Sequence, residues 1–507
     1  MAPLSHQLHF WCRAKARLKI ERSRNHTLSY LYSFNKTSMK RRQFFKNTTL
    51  SAVGASFILP AQACTPTQSI INGQSKGKKA KNIIFMVSDG MSSGTLNMAD
   101  VFRYKKEGKG SHWLDLYRNQ RVNRGLMDMA SASSIITDSA AASSSWGGGV
   151  RVKNGRLNTG PNGEEYMPIW QKFKKSGKKV GCVTTVQITH ATPAGFCVSS
   201  KSRGEQAEIA EKYLGLKFDV MMGGGSKYFN NRKDGRNLFE EFKNSGFHVV
   251  QNQKDMVTVD NSKPILGVFD VDGLPYELDR LNDESLLNTV PSLSNMTQKA
   301  IELMKNHPKG FCLQVEGGKV DWAAHANDAP ALIYDQVAFD DAVKVAIDFA
   351  EKDGNTLVVI TSDHGNANPG LYYGEKADQN FETLFQYKHT NEWILMGFDK
   401  NGTEAQFTER IKENQGCTFN SEQVKTIVQR YADQKSEGIY NSYKLPFKEY
   451  AEYLKEHTSV AFGGMEHSAD YTELAMFGPG SERMKPFMRN TDMHYFLLEV
   501  AEVENKF

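Results

Sequence analysis

Closely spaced cysteines are missing from this 507-residue chain. Its six cysteines, Cys12, Cys64, Cys182, Cys197, Cys312 and Cys417, form no CxxC pair and are widely scattered. That spacing argues against a zinc–thiolate site. In an oxidising compartment Cys182 and Cys197 are a pair that could join, but buried free thiols are the simpler reading. No apolar run approaches the ~20 residues that a membrane span needs, and no internal repeat is visible. Net positive charge is missing outside the N-terminal leader. Residues 1–63 carry 11 Lys/Arg and one acid, Glu21, a balance of +10. The remainder carries 52 Lys/Arg against 56 Asp/Glu, a balance of −4, so the formal +6 belongs to the leader. Overall basicity therefore says nothing of nucleic-acid-specific binding.

The leader has export features. From Met39 it runs through a basic start, a modestly apolar stretch Leu50 to Leu59, and Ala61-Gln62-Ala63, an A-x-A cleavage pattern. Arg41-Arg42-Gln43-Phe44-Phe45-Lys46 resembles a bacterial twin-arginine signal. Cys64 follows directly and is an alternative lipid-anchor cysteine. Residues 1–38 look unlike any signal, which makes Met39 a candidate true start. The expected organisation is a leader over 1–63, a polar linker over 64–81 and a single catalytic domain over 82–507. The expected location is exported: periplasmic or secreted, or held at a membrane through Cys64.

With 39% apolar and 11% aromatic residues, the remainder has globular composition. Short apolar runs at Ile83–Ser88, Lys179–Thr185, Gly310–Val315 and Thr356–Thr361 suit buried parallel strands. Helical patterns lie between them, at Thr289–His307 and Ala329–Lys352. Strands alternating with helices predict an α/β fold with a doubly wound, mostly parallel sheet and helices on both faces. Residues 378–462 are polar, helix-like and aromatic-rich (Glu422–Tyr431, Phe447–Glu456), and read as a helical insertion.

Ligands in such folds bind beyond the carboxyl ends of the strands. Here those ends carry Asp89, Glu316 and Asp363-His364. Asp321 and His325, spaced i, i+4, share one face of a helix and suit a metal ion. His467, in a Gly-rich loop, is a further candidate ligand. In Thr137-Asp138-Ser139-Ala140, a serine begins a helix, where the helix dipole and unpaired N–H groups favour an alkoxide. No histidine is near Ser139 in sequence, so a metal is the economical activator. Arg203 offers a planar guanidinium for two phosphate oxygens. A ligand set of Asp, Glu and His without Cys matches two metals clamping a phosphoryl group.

In this order and spacing the motifs resemble the alkaline phosphatase family, over about Asn82 to Val503. The resemblance rests on Asp89-Gly90-Met91, Thr137-Asp138-Ser139-Ala140, Ala191-Thr192-Pro193-Ala194, Arg203, Val315-Glu316-Gly317-Gly318, Asp321, His325, Ser362-Asp363-His364 and His467. Asp219–Phe229 and Pro275-Tyr276-Glu277 are also similar to family segments. It implies hydrolysis of phosphate monoesters through a phosphoserine on Ser139. One zinc would be held by Asp321, His325 and His467, a second by Asp89, Asp363 and His364 with the Ser139 oxygen. A third ion, usually magnesium, would be held by Asp89, Thr192 and Glu316. Arg203 would grip the phosphoryl group, oriented by Asp138. Family members are commonly homodimers, so a second copy is an expected partner.

His190 and Trp322 stand where the best-known bacterial pattern has Asp and Lys, which leaves the third metal open and makes both positions candidate contacts to the phosphate environment. No cysteine pair matches the disulfides of well-known periplasmic members. Competing readings are a phosphodiesterase of the same superfamily, a sulfatase, and an exported non-catalytic metal- or phosphate-binding protein. The sulfatase reading requires a Cys/Ser-x-Pro-x-Arg setting that Ser139-Ala140-Ala141 lacks.

Overall fold

Asn82–Ser88 (β1) is apolar along most of its length, and every residue in it is buried. Ile84 and Met86 join one hydrophobic cluster, whereas Ile83, Phe85 and Val87 join another. A strand with two apolar faces belongs inside a sheet covered on both sides. A computed structural model, which describes residues 79–432 and 445–506, places it there. The described residues lie within one compact unit, Thr67–Phe507. The leader, its cleavage pattern, Cys12 and Cys64 lie outside them.

The other strands of the main sheet are Asn123–Asp128 (β2), Lys179–Gln187 (β3), Val220–Gly224 (β4), His248–Val250 (β5), Ile265–Val268 (β6), Phe311–Gly317 (β7) and Thr356–Thr361 (β8), followed by the late strands Thr472–Phe477 and Phe487–Arg489. The order across this ten-stranded sheet is Phe487–Arg489, β2, Thr472–Phe477, β8, β1, β7, β3, β4, β6, β5. Thr472–Phe477 runs antiparallel to both β2 and β8, and the remaining pairings are parallel. The fold is thus the doubly wound, mostly parallel sheet that the alternating pattern predicts. Register sets Val87 beside Glu316 and Thr361, and Thr184 beside Glu316. The carboxyl ends of β1, β3, β7 and β8 therefore lie side by side.

The helix predicted over Ala329–Lys352 spans Ala329–Asp353, with the Asp328 side chain capping its start and left-handed Gly354 its end. The stretch Thr289–His307 differs from expectation. One helix ends at Thr289, Val290 is extended, and a second runs Leu293–Met304 from the Ser292 cap. Pro291 explains the break, because proline disfavours helical geometry in the residue before it and lacks an N–H.

The predicted insertion begins and ends on paired chain segments. Gly370–Leu371 pairs antiparallel with Val460–Ala461. Between them lie helices including Asn391–Met396, Glu404–Gln415, Ser421–Ala432 and Phe447–Thr458. Phe407, Ile427, Tyr450 and Leu454 are buried in the cluster that covers one face of the sheet. The Sγ atoms of Cys182 and Cys197 lie 3.6 Å apart as buried free thiols. No helix among the described residues is long and apolar enough to cross a membrane.

Candidate active site

Ser139 opens the helix Ser139–Gly148. Asp138 is its N-cap, in extended backbone, and its Oδ1 accepts from Ala141 N at 2.9 Å. The other carboxylate oxygen accepts from Gly155 N (2.9 Å) and from Arg203 Nη1 (3.1 Å). One carboxylate thus caps the Ser139 helix and holds the guanidinium, which fixes the two relative to each other. Ser143 Oγ donates to Ser139 O (2.7 Å) and lies 3.0 Å from Ala191 O, tying this helix to the short helix Ala191–Cys197.

Ser139 is 1% exposed, and its Oγ lies 3.2 Å from His364 Nε2. The Nδ1 of His364 faces Gly365 O (3.3 Å), that of His325 faces Met465 O (2.6 Å), and that of His467 faces Thr137 O (2.9 Å). A carbonyl only accepts, so each Nδ1 carries the proton and each Nε2 presents a lone pair. The Nε2 atoms of His325 and His467 nevertheless lie 3.1 Å apart. His364 Nε2 faces Asp89 Oδ1 (3.4 Å) and Asp363 Oδ2 (3.3 Å). Lone pairs and carboxylates converging at these distances repel one another unless a cation lies among them.

Three groups of ligand atoms meet that description. Asp321, His325 and His467 form one; Asp89, Asp363 and His364 a second; and Asp89, His190 and Glu316 a third, each with its atoms within 4.8 Å of one another. The first two adjoin, since the rings of His364 and His467 stack at 3.7 Å. Asp89 Oδ1, Asp363 Oδ2 and both Glu316 carboxylate oxygens are buried without a hydrogen-bond partner. Burial, then repulsion by Asp363 and Asp321, pushes the Asp89 carboxyl well above its usual range. Burial and Asp89 do the same to Glu316, and burial pushes Asp363 up to about 8. Although burial alone would raise it, positive charge at the His325, His467 and His364 cluster holds Asp321 below the carboxylate range. Buried oxygen acceptors without donors, interleaved with imidazole lone pairs, fit bound divalent cations.

His190 joins the third group and also lies 3.0 Å from Arg203 Nη2 through its Nε2. Burial, then Arg203, lowers its pKa to about 3, so the ring is neutral and accepts from the guanidinium. Thr192 Oγ1 is 3.2 Å from Asp89 Oδ2. The ring of Trp322 meets that of His190 edge-on at 6.1 Å. It also covers Lys319, whose Nζ lies 4.7 Å from the Trp322 ring and 3.6 Å from that of Tyr276. A tryptophan cannot supply the lysine charge of the best-known pattern, but this chain keeps a buried ammonium directly beneath it.

A cavity of about 520 Å³ opens over these groups, lined by Ser139, Arg203 and Trp322 and farther out by Gln187, Lys227, Asp272 and Glu392. Of the residues singled out from the sequence, Ser139, His190, Arg203, Asp321, Trp322, His325 and His467 line it, whereas Asp89, Asp138, Thr192, Glu316, Asp363 and His364 join them through the ligand groups and hydrogen bonds above. Only the family resemblance set His364 with the Ser139 oxygen, because the two are 225 positions apart and no local pattern joins them. Sequence reading missed Lys319, Gln187, Lys227, Asp272 and Glu392, which carry no motif of their own. For Lys227 the one signal was its place inside Asp219–Phe229.

Residues 80–503 match the family model for alkaline phosphatase. Alkaline phosphatase 4 of Bacillus subtilis is 29% identical over 481 residues, covering 92% of this chain and 99% of that protein. Alkaline phosphatase 3 of the same organism is 31% identical over 427 residues, covering 82% and 87%. The crystal structure of Thermus thermophilus alkaline phosphatase superposes with a TM-score of 0.78 at 28% identity, covering 88% of this chain and 96% of that one. A match spanning nearly the whole described body, with site and fold in agreement, identifies the chain as an enzyme of the alkaline phosphatase family.

Proposed function

We propose that the chain hydrolyses phosphate monoesters by attack of Ser139 Oγ on phosphorus. The Oγ–P bond forms as the ester O–P bond breaks and the alcohol leaves. Water then cleaves the phosphoserine, releasing phosphate and restoring Ser139. The observation that supports this best is the placement of Ser139 at a capped helix start, beside three adjoining ligand groups, with Arg203 locked to the same cap.

Unpaired N–H groups at the helix start favour negative charge on Oγ and on the phosphoryl oxygens. Asp138 presents the Arg203 fork toward the cavity, and His190 holds its second arm. Arg203 then grips two non-bridging oxygens, which favours monoesters over diesters. Divalent cations on the three groups would lower the pKa of the serine hydroxyl and of water and neutralise the leaving oxygen. The resemblance assigns zinc to Asp321–His325–His467 and to Asp89–Asp363–His364, and magnesium to the site of Asp89, Thr192 and Glu316. An imidazole suits zinc, but the single lone pair of the neutral His190 ring either accepts from Arg203 or binds an ion, so zinc at the third position would replace that hydrogen bond.

Ser139→Ala is expected to abolish hydrolysis of p-nitrophenyl phosphate while metal content, measured by elemental analysis, stays at the wild-type level. Substantial residual activity would sink the assignment, and faster hydrolysis of the bis-ester than of the monoester would favour a diesterase. The leader supports an exported protein, with residues 82–507 as one catalytic domain; N-terminal sequencing of the mature protein and detergent partitioning separate free cleavage from a lipid anchor on Cys64.

A further inference from the structure

The cavity extends well beyond the phosphate position. Its volume of about 520 Å³ falls in the range that encloses an organic ligand, roughly 300–1,000 Å³, and not phosphate alone. The outer part is built from three separate regions. Gln187 lies at the end of β3, and Lys227 and Tyr228 follow β4. Asp272 lies in the loop after β6, whereas Glu392 and Phe447 come from the helical segment between Gly370–Leu371 and Val460–Ala461.

These groups are organised. Lys227 Nζ pairs with Asp272 Oδ2 at 2.9 Å, and Gln187 Nε2 donates to Asp272 Oδ1. The backbone under them is tightly joined, with Gly225 N and Ser226 N both donating to Asp270 O (3.1 and 2.9 Å). A side chain on Gly273 would strike the Trp322 ring, so the Asp272 loop packs directly against Trp322. Because its amide nitrogen is committed to Asp272, Gln187 is left with its Oε1 as a buried acceptor. Gln187 is 4% exposed, and that oxygen has no hydrogen-bond partner.

The charge around this chamber is one-sided. Arg203 is engaged by Asp138 and serves the phosphoryl group. The outer lining then holds Asp272, Glu392 and Glu466 against Lys227. Lys319 lies beneath Trp322 and its charge is shared between Asp335 and Glu392, while Asp279 opposes it at Glu392. An unpaired buried acceptor beside an excess of carboxylates selects donors and positive charge.

We propose that this chamber is a leaving-group subsite for neutral or cationic alcohols that donate hydrogen bonds, with amino-alcohol phosphates the best-matched class. It disfavours leaving groups that carry a carboxylate or a second phosphate. Gln187 Oε1 accepts from the leaving group, and Asp272 and Glu392 supply the charge preference. This gives the helical segment between Gly370–Leu371 and Val460–Ala461 a part in substrate choice, through Glu392. The inference rests on the phosphomonoesterase reading above.

The test compares kcat/KM for ethanolamine phosphate and phosphoglycolate, two-carbon leaving groups of opposite charge, at mildly alkaline pH where carboxylates are ionised. The wild-type protein is expected to favour ethanolamine phosphate by about tenfold at low salt, and the ratio should shrink as salt screens the outer charges. Asp272→Asn with Glu392→Gln should compress the ratio by about threefold or more, whereas Lys227→Met should widen it. A ratio within one variant is insensitive to a general loss of folded enzyme, and opposite shifts in the two variants cannot come from unfolding. Intrinsic leaving-group chemistry cancels when variants are compared on the same pair of esters. A wild-type ratio that ignores salt, or a ratio unmoved in both variants, overturns the subsite. Failure to hydrolyse p-nitrophenyl phosphate overturns instead the reading on which it rests.

Discussion

Gly195→Ala tests how the nucleophile's helix is positioned. Gly195 lies in Ala191–Cys197, the helix that adjoins His190 and carries Thr192, and it packs against Ser139–Gly148. A Cβ on Gly195 would lie 2.6 Å from Ser143 Cβ and 2.9 Å from Ser143 C, where ordinary contact begins at 3.4 Å. The Ser143 hydroxyl could rotate aside, but its Cβ and backbone cannot. On the other side of the same contact, a Cβ on Gly147 would strike Gly195 O. The helices must therefore separate by a sizeable fraction of an ångström. In an open helix, glycine to alanine stabilises by about 0.5–1 kcal/mol. Overpacking here should reverse that sign and cost about 1–3 kcal/mol, a fall in Tm of about 1–3 °C for a body this large. Separation also moves Ser139 relative to the third ligand group, and a misplacement near 1 Å costs about 100-fold in rate. Thermal melting and kcat/KM on p-nitrophenyl phosphate measure both effects. An alanine variant with raised or unchanged Tm and wild-type kcat/KM would refute the close-contact argument.

Three further outcomes are expected. Trp322→Lys should destabilise the fold by about 1–2 kcal/mol, because it removes the ring over Lys319 and sets a second ammonium beside it; the double change with His190→Asp should also alter metal preference and phosphate inhibition, and unchanged values in both assays would count against the roles given to these residues. Chelation should abolish activity and lower Tm, both restored by zinc with magnesium, since bound ions stabilise the folded state by mass action; a chelated protein that melts as before would contradict cation binding at the buried carboxylates. Burial would raise the Asp100 carboxyl, but hydrogen bonds from Arg118 and Ser111 outweigh it and hold it below its ordinary value. A lowered folded pKa gives stability that is present above the ordinary pKa and lost as pH falls through the folded one. Asp100→Asn should therefore cost about 1–2 kcal/mol at neutral pH and nothing in strong acid, read by denaturant melts at both pH values.

Much of the site was legible because its residues stand at strand ends. Asp89, Glu316 and Asp363-His364 each close an apolar run, and doubly wound sheets gather such ends. The break in Thr289–His307 was missed, although Pro291 marks it locally. Other features carried no local signal. Gln187 reads as the end of an apolar strand and Lys227 as a surface lysine. Their coupling through Asp272 depends on two loops that meet only when β4 and β6 pair.

The sequence by itself determined the layered architecture, the helix start at Ser139 and the identity of the ligand side chains, because apolar period, capping and ligand chemistry are local properties of a chain. Tertiary structure alone decided which nitrogen of each histidine is free. Those tautomers are set by Gly365, Met465 and Thr137 carbonyls, and a backbone carbonyl leaves no mark in the residue that bears it. Tertiary structure also decided that the buried ammonium of Lys319 lies under Trp322. Such effects depend on distance and burial across hundreds of residues, where the dielectric and the neighbours are products of the fold.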